Sequence, residues 1–397
     1  MEKRIFILIP WFLPAFKAGG PIRSIAGLVD HFTDEPVQFR IFCGNKDLDG
    51  SILTGVAYDQ WVPHTTNTQV WYSTDNKIIP VLKEEMARNK PDLLYIIGIY
   101  DWVYNFDPLL QFGRIRKLVS VRGMLHPGAL SQKKWKKKIY LQFWKLMGWH
   151  KKNYFHATDE TEKEYVQDIF GKEVKVMVAG NFPSLYKPSK LPFKTSGVLK
   201  MVSVGLISPM KNHLRVLELL CGDQRSVEHW QLAEEEQYEG KTNDDLHGRI
   251  EYHIYGPVKD EQYWRQCSAL IRQMPSNVEV QYHGEIDPGA VGSVLKQYHV
   301  FILPSKSENY GHAIIEALSA GLPVITSRST PWNALEEAKA GINADPANTK
   351  EMVAAINSFL VMDEQEMQDW ADHAGSYAIE KVNIPEIKEQ YKQMFRL

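Results

Sequence analysis

Short apolar runs alternate with helix-length segments along almost the whole chain, and no other feature narrows the accessible folds so far. Residues 4–9 form the first run, which breaks at Pro10, Pro14, Gly19, Gly20 and Pro21 before an amphipathic helix expected over 22–32. Further strands are expected at 37–42, 93–97 and 118–121, with helical stretches between them. Strands that are apolar throughout and separated by helices suit a parallel sheet covered on both faces. Residues 187–197 (KPSKLPFKTSG) are rich in Pro, Lys and Ser and read as a linker. Beyond them the alternation restarts, with strands expected at 201–206, 250–255, 278–282, 300–303 and 323–326 and helices at 214–220, 261–274, 290–297 and 312–320. The expected fold class is α/β, with two doubly wound Rossmann-like domains facing each other across a cleft. The domains are expected at 1–188 and 189–378, with residues 379–397 forming a C-terminal helix that returns to the N-terminal domain.

A chain of 397 residues is long for one ordinary domain, which agrees with two. A net charge of -2 gives no global field for nucleic acid, so any basic surface has to be local. Cys43, Cys221 and Cys267 are far apart and odd in number, matching neither a disulfide framework nor a metal cluster, which fits a reducing cytoplasm. Only five apolar residues follow Arg4 before Pro10, too few for a signal peptide, and no eighteen-residue apolar window exists.

The segment 301–332 (FILPSKSENYGHAIIEALSAGLPVITSRSTPW) carries the densest chemistry. It reads as strand, polar turn, helix and strand, with Glu308 in the turn and Glu316 about one turn into the helix. A helix entered this way offers backbone N–H groups at Asn309, Tyr310, Gly311 and His312 to an anion at the carboxyl edge of the sheet. Gly311 lets a phosphate approach without a Cβ in its path. Glu316 is placed to accept hydrogen bonds from a sugar diol, or else is a helix surface charge. Glu308 lies where a carboxylate either meets a bound sugar or caps the helix.

These residues resemble the E-x7-E motif of retaining glycosyltransferases of the large bacterial family four, which have the type B, two-Rossmann architecture (GT-B). The similarity extends over nearly the whole chain. Residues 305–321 follow the family's wording closely, and Thr330-Pro331-Trp332 resembles the end of that block in members that build surface polysaccharide. Lys17-Ala18-Gly19-Gly20-Pro21 matches the N-terminal glycine loop, and residues 204–212 (VGLISPMKN) match the interdomain block. Arg122-Gly123-Met124-Leu125 and Ala157-Thr158-Asp159-Glu160 lie where the family has similar segments. The resemblance implies transfer of a sugar, with retention, from a UDP- or GDP-linked donor to a hydroxyl of a glycan or lipid-linked acceptor. Glu316 would bind the donor ribose, and Glu308 would lie near the transferred sugar and its phosphate. Lys211 would sit on the diphosphate, and Gly19 and Gly20 would admit the donor to the first loop. His283 to Ile286 (HGEI) lie where the family binds the base, and His126 in a region where relatives carry a histidine near the sugar. Glu308, Lys211 and His126 are therefore the expected catalytic residues, with no cofactor beyond the donor substrate and no metal.

The bland alternatives are a solvated Lys211, a plain strand-to-helix turn at Gly19 and Gly20, and an ordinary loop histidine at His126. One departure from the family pattern stands out. Its usual arginine, five residues before the lysine, is here Leu206, and Arg23 or Arg122 are the candidate replacements. Asp47-Leu48-Asp49 is a D-x-D, the metal motif of a different transferase class, but a polar stretch ending in Gly50 reads as a turn. Lys133 to Lys152 (KKWKKKIYLQFWKLMGWHKK) interleaves lysines with Trp135, Tyr140, Phe143, Trp144 and Trp149, which suits either docking on an anionic membrane or a helix with core aromatics and solvated lysines. The competing functions are a nucleotide-sugar epimerase of the same fold and a non-catalytic sugar-nucleotide sensor.

Overall fold

The computed structural model describes residues 2–75, 77–113, 115–131, 134–222, 246 and 248–397. The chain divides into two compact units, Met1–Pro183 with Asn383–Leu397, and Ser184–Val382. The expected borders were 188/189 and 378/379. Residues 184–188 go with the second unit because the Tyr186 amide donates to Ser319 Oγ at 3.0 Å and its ring lies against Gly292.

The first unit contains β1 (Lys3–Leu8), β2 (Val37–Gly44), β3 (Trp61–Thr65), β4 (Thr68–Ser73), β5 (Leu93–Ile97), β6 (Lys117–Ser120), β7 (Tyr154–Ala157) and β8 (Lys175–Val178). They form one sheet in the order β3-β4-β2-β1-β5-β6-β7-β8, parallel except where β3 turns back on β4. Side chains alternate across a strand, so one apolar run feeds two cores. Ile5, Ile7 and Ile9 enter a cluster with Ile25, Phe32 and Phe39, while Phe6 and Leu8 enter the opposite one with Leu94, Val119 and Trp144.

The last helix, Ile384–Phe395, starts at Asn383, whose side chain accepts from the Glu386 amide. It buries Tyr391, Met394 and Phe395 in the first of these clusters. Each such side chain contributes about 1.5–3 kcal/mol, which is what fastens the chain's end to its beginning.

The second unit contains β9 (Val198–Val204), β10 (Arg249–Tyr255), β11 (Val278–Tyr282), β12 (Val300–Leu303), β13 (Val324–Thr326) and β14 (Gly341–Asn343), all parallel, in the order β11-β10-β9-β12-β13-β14. Gly256 lets β9 and β10 close up: a Cβ there would stand 1.9 Å from the Gly205 oxygen. No helix among the described residues is long and apolar enough to cross a membrane.

Candidate active site

In the second unit β9 pairs with β12 and β12 with β13, so the loops that leave their carboxyl ends emerge side by side. Backbone and amide bonds join these loops. Asn212 Nδ2 donates to the Pro304 oxygen at 3.1 Å, the Lys306 amide to the Met210 oxygen at 2.8 Å, and the Glu308 amide to the Ser329 oxygen at 3.1 Å. Asn212 reaches this position with a left-handed backbone, φ 64°, just before the helix His213–Cys221.

Lys211 and Glu308 meet there. Lys211 Nζ lies 2.6 Å from Glu308 Oε1, and Ser305 Oγ donates to the same oxygen at 2.6 Å. The Lys211 side chain is 22% exposed and that of Glu308 9%, so Lys211 is neither simply solvated nor sealed off. Glu308 does not cap the helix His312–Ser319: its N-cap is Gly311, in the left-handed region at φ 76°, with no side-chain cap. A Cβ on Gly311 would come within 3.1 Å of Trp332 Nε1, which itself donates to the Tyr310 oxygen at 2.5 Å. The helix N-terminus with residues 309–312 is thus braced from the loop after β13, by a tryptophan whose part the sequence did not reveal.

Glu316 is fully buried, which rules out a surface charge. A ribose diol can reach its carboxylate only after neighbouring side chains shift. Tyr310 is the neighbour the electrostatics identify, its phenol pushed up by burial and by the Glu316 charge. His213, next to Lys211, is also buried, and burial first and the Lys211 charge second pull its imidazole down to about 3. It is therefore neutral and adds no cation to the cluster.

At the other edge of this sheet, His283 follows β11. Its ring stacks on Tyr255 at 4.4 Å and 8°, and its Nε2 lies 2.9 Å from His253 Nδ1. Gly284 accepts from the Gly256 amide at 2.7 Å, which sets the turn that carries Ile286. His283 and Ile286 are thus on the loop after β11, while Lys211, Glu308 and Gly311 are on loops at β9 and β12.

In the first unit, Gly19 is the N-cap of the helix Gly20–His31 at φ 77°, and a Cβ there would meet nothing within 4 Å. The loop is held by Asp47, whose carboxylate accepts from the amides of Phe16 at 2.9 Å and Lys17 at 3.2 Å. Asp49 pairs with Lys17 Nζ at 2.7 Å. The D-x-D is thus a brace for the glycine loop, a role that becomes visible only when β1 and β2 are set side by side.

His126 Nδ1 accepts from the Gly128 amide at 3.0 Å, which leaves Nε2 to carry the proton of the neutral ring, and Tyr165 stands edge-on to it at 5.3 Å. Arg122, one candidate for the family arginine's place, is engaged elsewhere. It is half-buried in the first unit, where its guanidinium is already bonded to Asn181 and, at 3.1 Å, to Tyr95. Arg215, the nearest arginine in sequence to Lys211, is tied to the Pro346 oxygen and Thr349. Among the described residues no group of three His, Cys, Asp or Glu is placed to hold a metal ion.

Residues 192–376 match the family Glycosyl transferases group 1. No curated protein matches the sequence. Among solved structures, sucrose-phosphate synthase from Thermosynechococcus elongatus superposes with a TM-score of 0.72 at 15% identity, covering 99% of this chain and 98% of that one. WaaG, a glycosyltransferase involved in lipopolysaccharide biosynthesis, gives 0.64 at 12% identity over 99% of both chains. HepE of Anabaena, in complex with UDP and glucose, gives 0.64 at 13% identity over 100% of both. These likenesses show the two-Rossmann GT-B fold, and the similarity to the group 1 family is borne out over residues 192–376.

Proposed function

We infer that this chain is a glycosyltransferase of group 1 that moves a sugar from a nucleotide-sugar donor to a hydroxyl of a glycan or lipid-linked acceptor in cell-surface polysaccharide synthesis, with retention and without a metal. The observation that carries this reading is the convergence of Lys211, Glu308 and the Gly311 helix N-terminus at the carboxyl edge of one sheet. Breaking the anomeric bond concentrates negative charge on the leaving diphosphate. A fixed ammonium and a helix N-terminus stabilise that charge more in the transition state than in the ground state. They supply what a metal supplies in other transferases. Glu308, held by Ser305 and Lys211, orients the ammonium and lies where the transferred sugar would be. The acceptor hydroxyl attacks the anomeric carbon from the face the diphosphate leaves; as the bond to the diphosphate oxygen breaks, that oxygen takes up the hydroxyl proton.

A UDP-linked donor draws support from HepE, whose structures hold UDP and UDP-glucose, and a surface-glycan role from WaaG. Acceptor recognition is assigned to the first unit. Thermal-shift screening against UDP, GDP and ADP sugars tests the donor site, since a bound donor raises the melting temperature with its concentration. One class of nucleotide sugar should stabilise the protein, Glu316→Ala should abolish that shift, and mass spectrometry should find sugar transferred in the presence of chelator. A panel with no stabilising member, or activity restored only by manganese, would overturn the reading.

A further inference from the structure

From Pro108 to Thr158 the chain has no Asp or Glu and twelve Lys or Arg, in a protein of net charge -2. The helix Lys134–Leu146 lies within this stretch. Its inner face is apolar and buried: Trp144 and Leu141 enter the core, and Tyr140 donates to the Ile99 oxygen at 2.6 Å. Trp149, just beyond the helix, is core as well. Of the aromatics in this stretch, therefore, Trp144 and Trp149 are unavailable to a membrane. Lys133 lies outside the described residues.

The outer face of the same helix is also apolar. Trp135 is 75% exposed, Ile139 68% and Leu146 82%. Spaced four and seven residues apart, they fall within about 40° of one another on a helical wheel, opposite Trp144. Trp102, 63% exposed, stacks on Phe106 at 4.1 Å, and Phe106 stacks on Phe143 of this helix at 5.6 Å, so its indole widens the apolar surface. Lys134, Lys138 and Lys145 are exposed along one flank of the stripe and Lys136 along the other. A water-facing helix ordinarily turns charge outward. Here large apolar side chains face outward with ammonium groups on both sides and no acid in the helix; Asp101 and Asp107 lie beside Trp102 at the margin.

We propose that Trp135, Ile139 and Leu146 insert into the headgroup boundary of an anionic lipid bilayer while the flanking lysines bind its surface charge. Apolar burial and lysine attraction add in such a geometry, and long lysine stems let the charges remain at headgroup level. A second copy of this chain would have to bring acidic residues to meet the lysines. A bilayer of acidic lipid satisfies the apolar stripe and the lysines together. The inference does not rest on the donor chemistry, so it can fail while the transferase reading stands.

Vesicle co-sedimentation of the full chain tests it. Binding is expected to phosphatidylglycerol vesicles, to be much weaker to phosphatidylcholine, and to fall with added salt. Each lysine at such a surface is worth on the order of fivefold in partitioning, so Lys134→Gln, Lys138→Gln and Lys145→Gln together should lower it on the order of 100-fold. Trp135→Ala with Ile139→Ala should lower it as well, with the melting temperature unchanged because these side chains are exposed. Lys83→Gln, Lys90→Gln and Lys172→Gln remove the same charge from exposed positions outside the stretch and should leave binding intact. Equal loss in both lysine sets, no preference for anionic lipid, or a stripe variant that changes only the oligomeric state would overturn the proposal.

Discussion

Lys211 and Glu308 stand 97 residues apart in sequence and 2.6 Å apart in space. An ammonium held by a carboxylate is preorganised but partly neutralised. A diphosphate arriving at Lys211 has to compete with Glu308 for it. Glu308→Gln removes that competition, so nucleoside diphosphate should bind more tightly by calorimetry while turnover falls. Lys211→Ala should weaken the same binding and lower kcat/KM on the order of 10²–10³-fold, the loss typical of deleting one group that stabilises developing charge. It should also cost about 1–3 kcal/mol in urea unfolding, since the partly buried Glu308 carboxylate would lose its ion pair and retain the hydrogen bond from Ser305 Oγ. Equal weakening of diphosphate binding in both variants would exclude the competition.

At the scale of elements, three glycines with left-handed backbones do different work, and substituting them separates fold from site. Gly256→Ala places a Cβ 1.9 Å from the Gly205 oxygen, in the seam where the Gly205 amide bonds the Tyr255 oxygen at 2.9 Å. Backbone on both sides leaves no room to yield, and a loss of about 3 kcal/mol or more is expected by urea denaturation. Gly19→Ala meets nothing within 4 Å and should cost only the left-handed strain, about 1–2 kcal/mol, while still weakening any ligand that needs the open space. Gly311→Ala falls between the two, because Trp332 is a side chain and can move.

The sequence made much at this scale legible. β5, β11 and β12 coincide with the expected runs because each is apolar or strongly β-forming and ends at a turn or helix signal. The hairpin β3–β4 is hidden in the sequence, since Pro63 and His64 interrupt its first strand, and β14 is only the three residues Gly341–Asn343. Glu308 and Lys211 were legible as motif positions. Trp332 over Gly311 and Asp47 under the glycine loop were not, because each acts through the neighbour its strand is paired with.

At the scale of the whole molecule, His156, His213 and His299 are buried and held neutral, and they lie in both units. In the first unit His156 is bonded to Tyr95 at 2.6 Å, Ser120 at 2.9 Å and the Ala179 oxygen at 2.9 Å, with burial and the Arg122 charge pulling it down to about 3. In the second, burial is the main cause for both His213, pulled to about 3, and His299, pulled to about 4, where Lys194 adds to the shift. Each folded-state value lies below the unfolded value of about 6.5. The unfolded chain therefore binds more protons as pH falls through about 6.5, and the native state lags until about pH 3–4. Stability is full above pH 6.5 and declines below it, by up to about 1.4 kcal/mol per pH unit for each histidine. Urea titrations from pH 7.5 to 5 should show both units losing stability together toward acid. His156→Gln should flatten that slope for the first unit alone, and His299→Gln for the second. An unfolding midpoint constant across this range would mean that these rings accept protons in the native state, and that their burial leaves water a path to them.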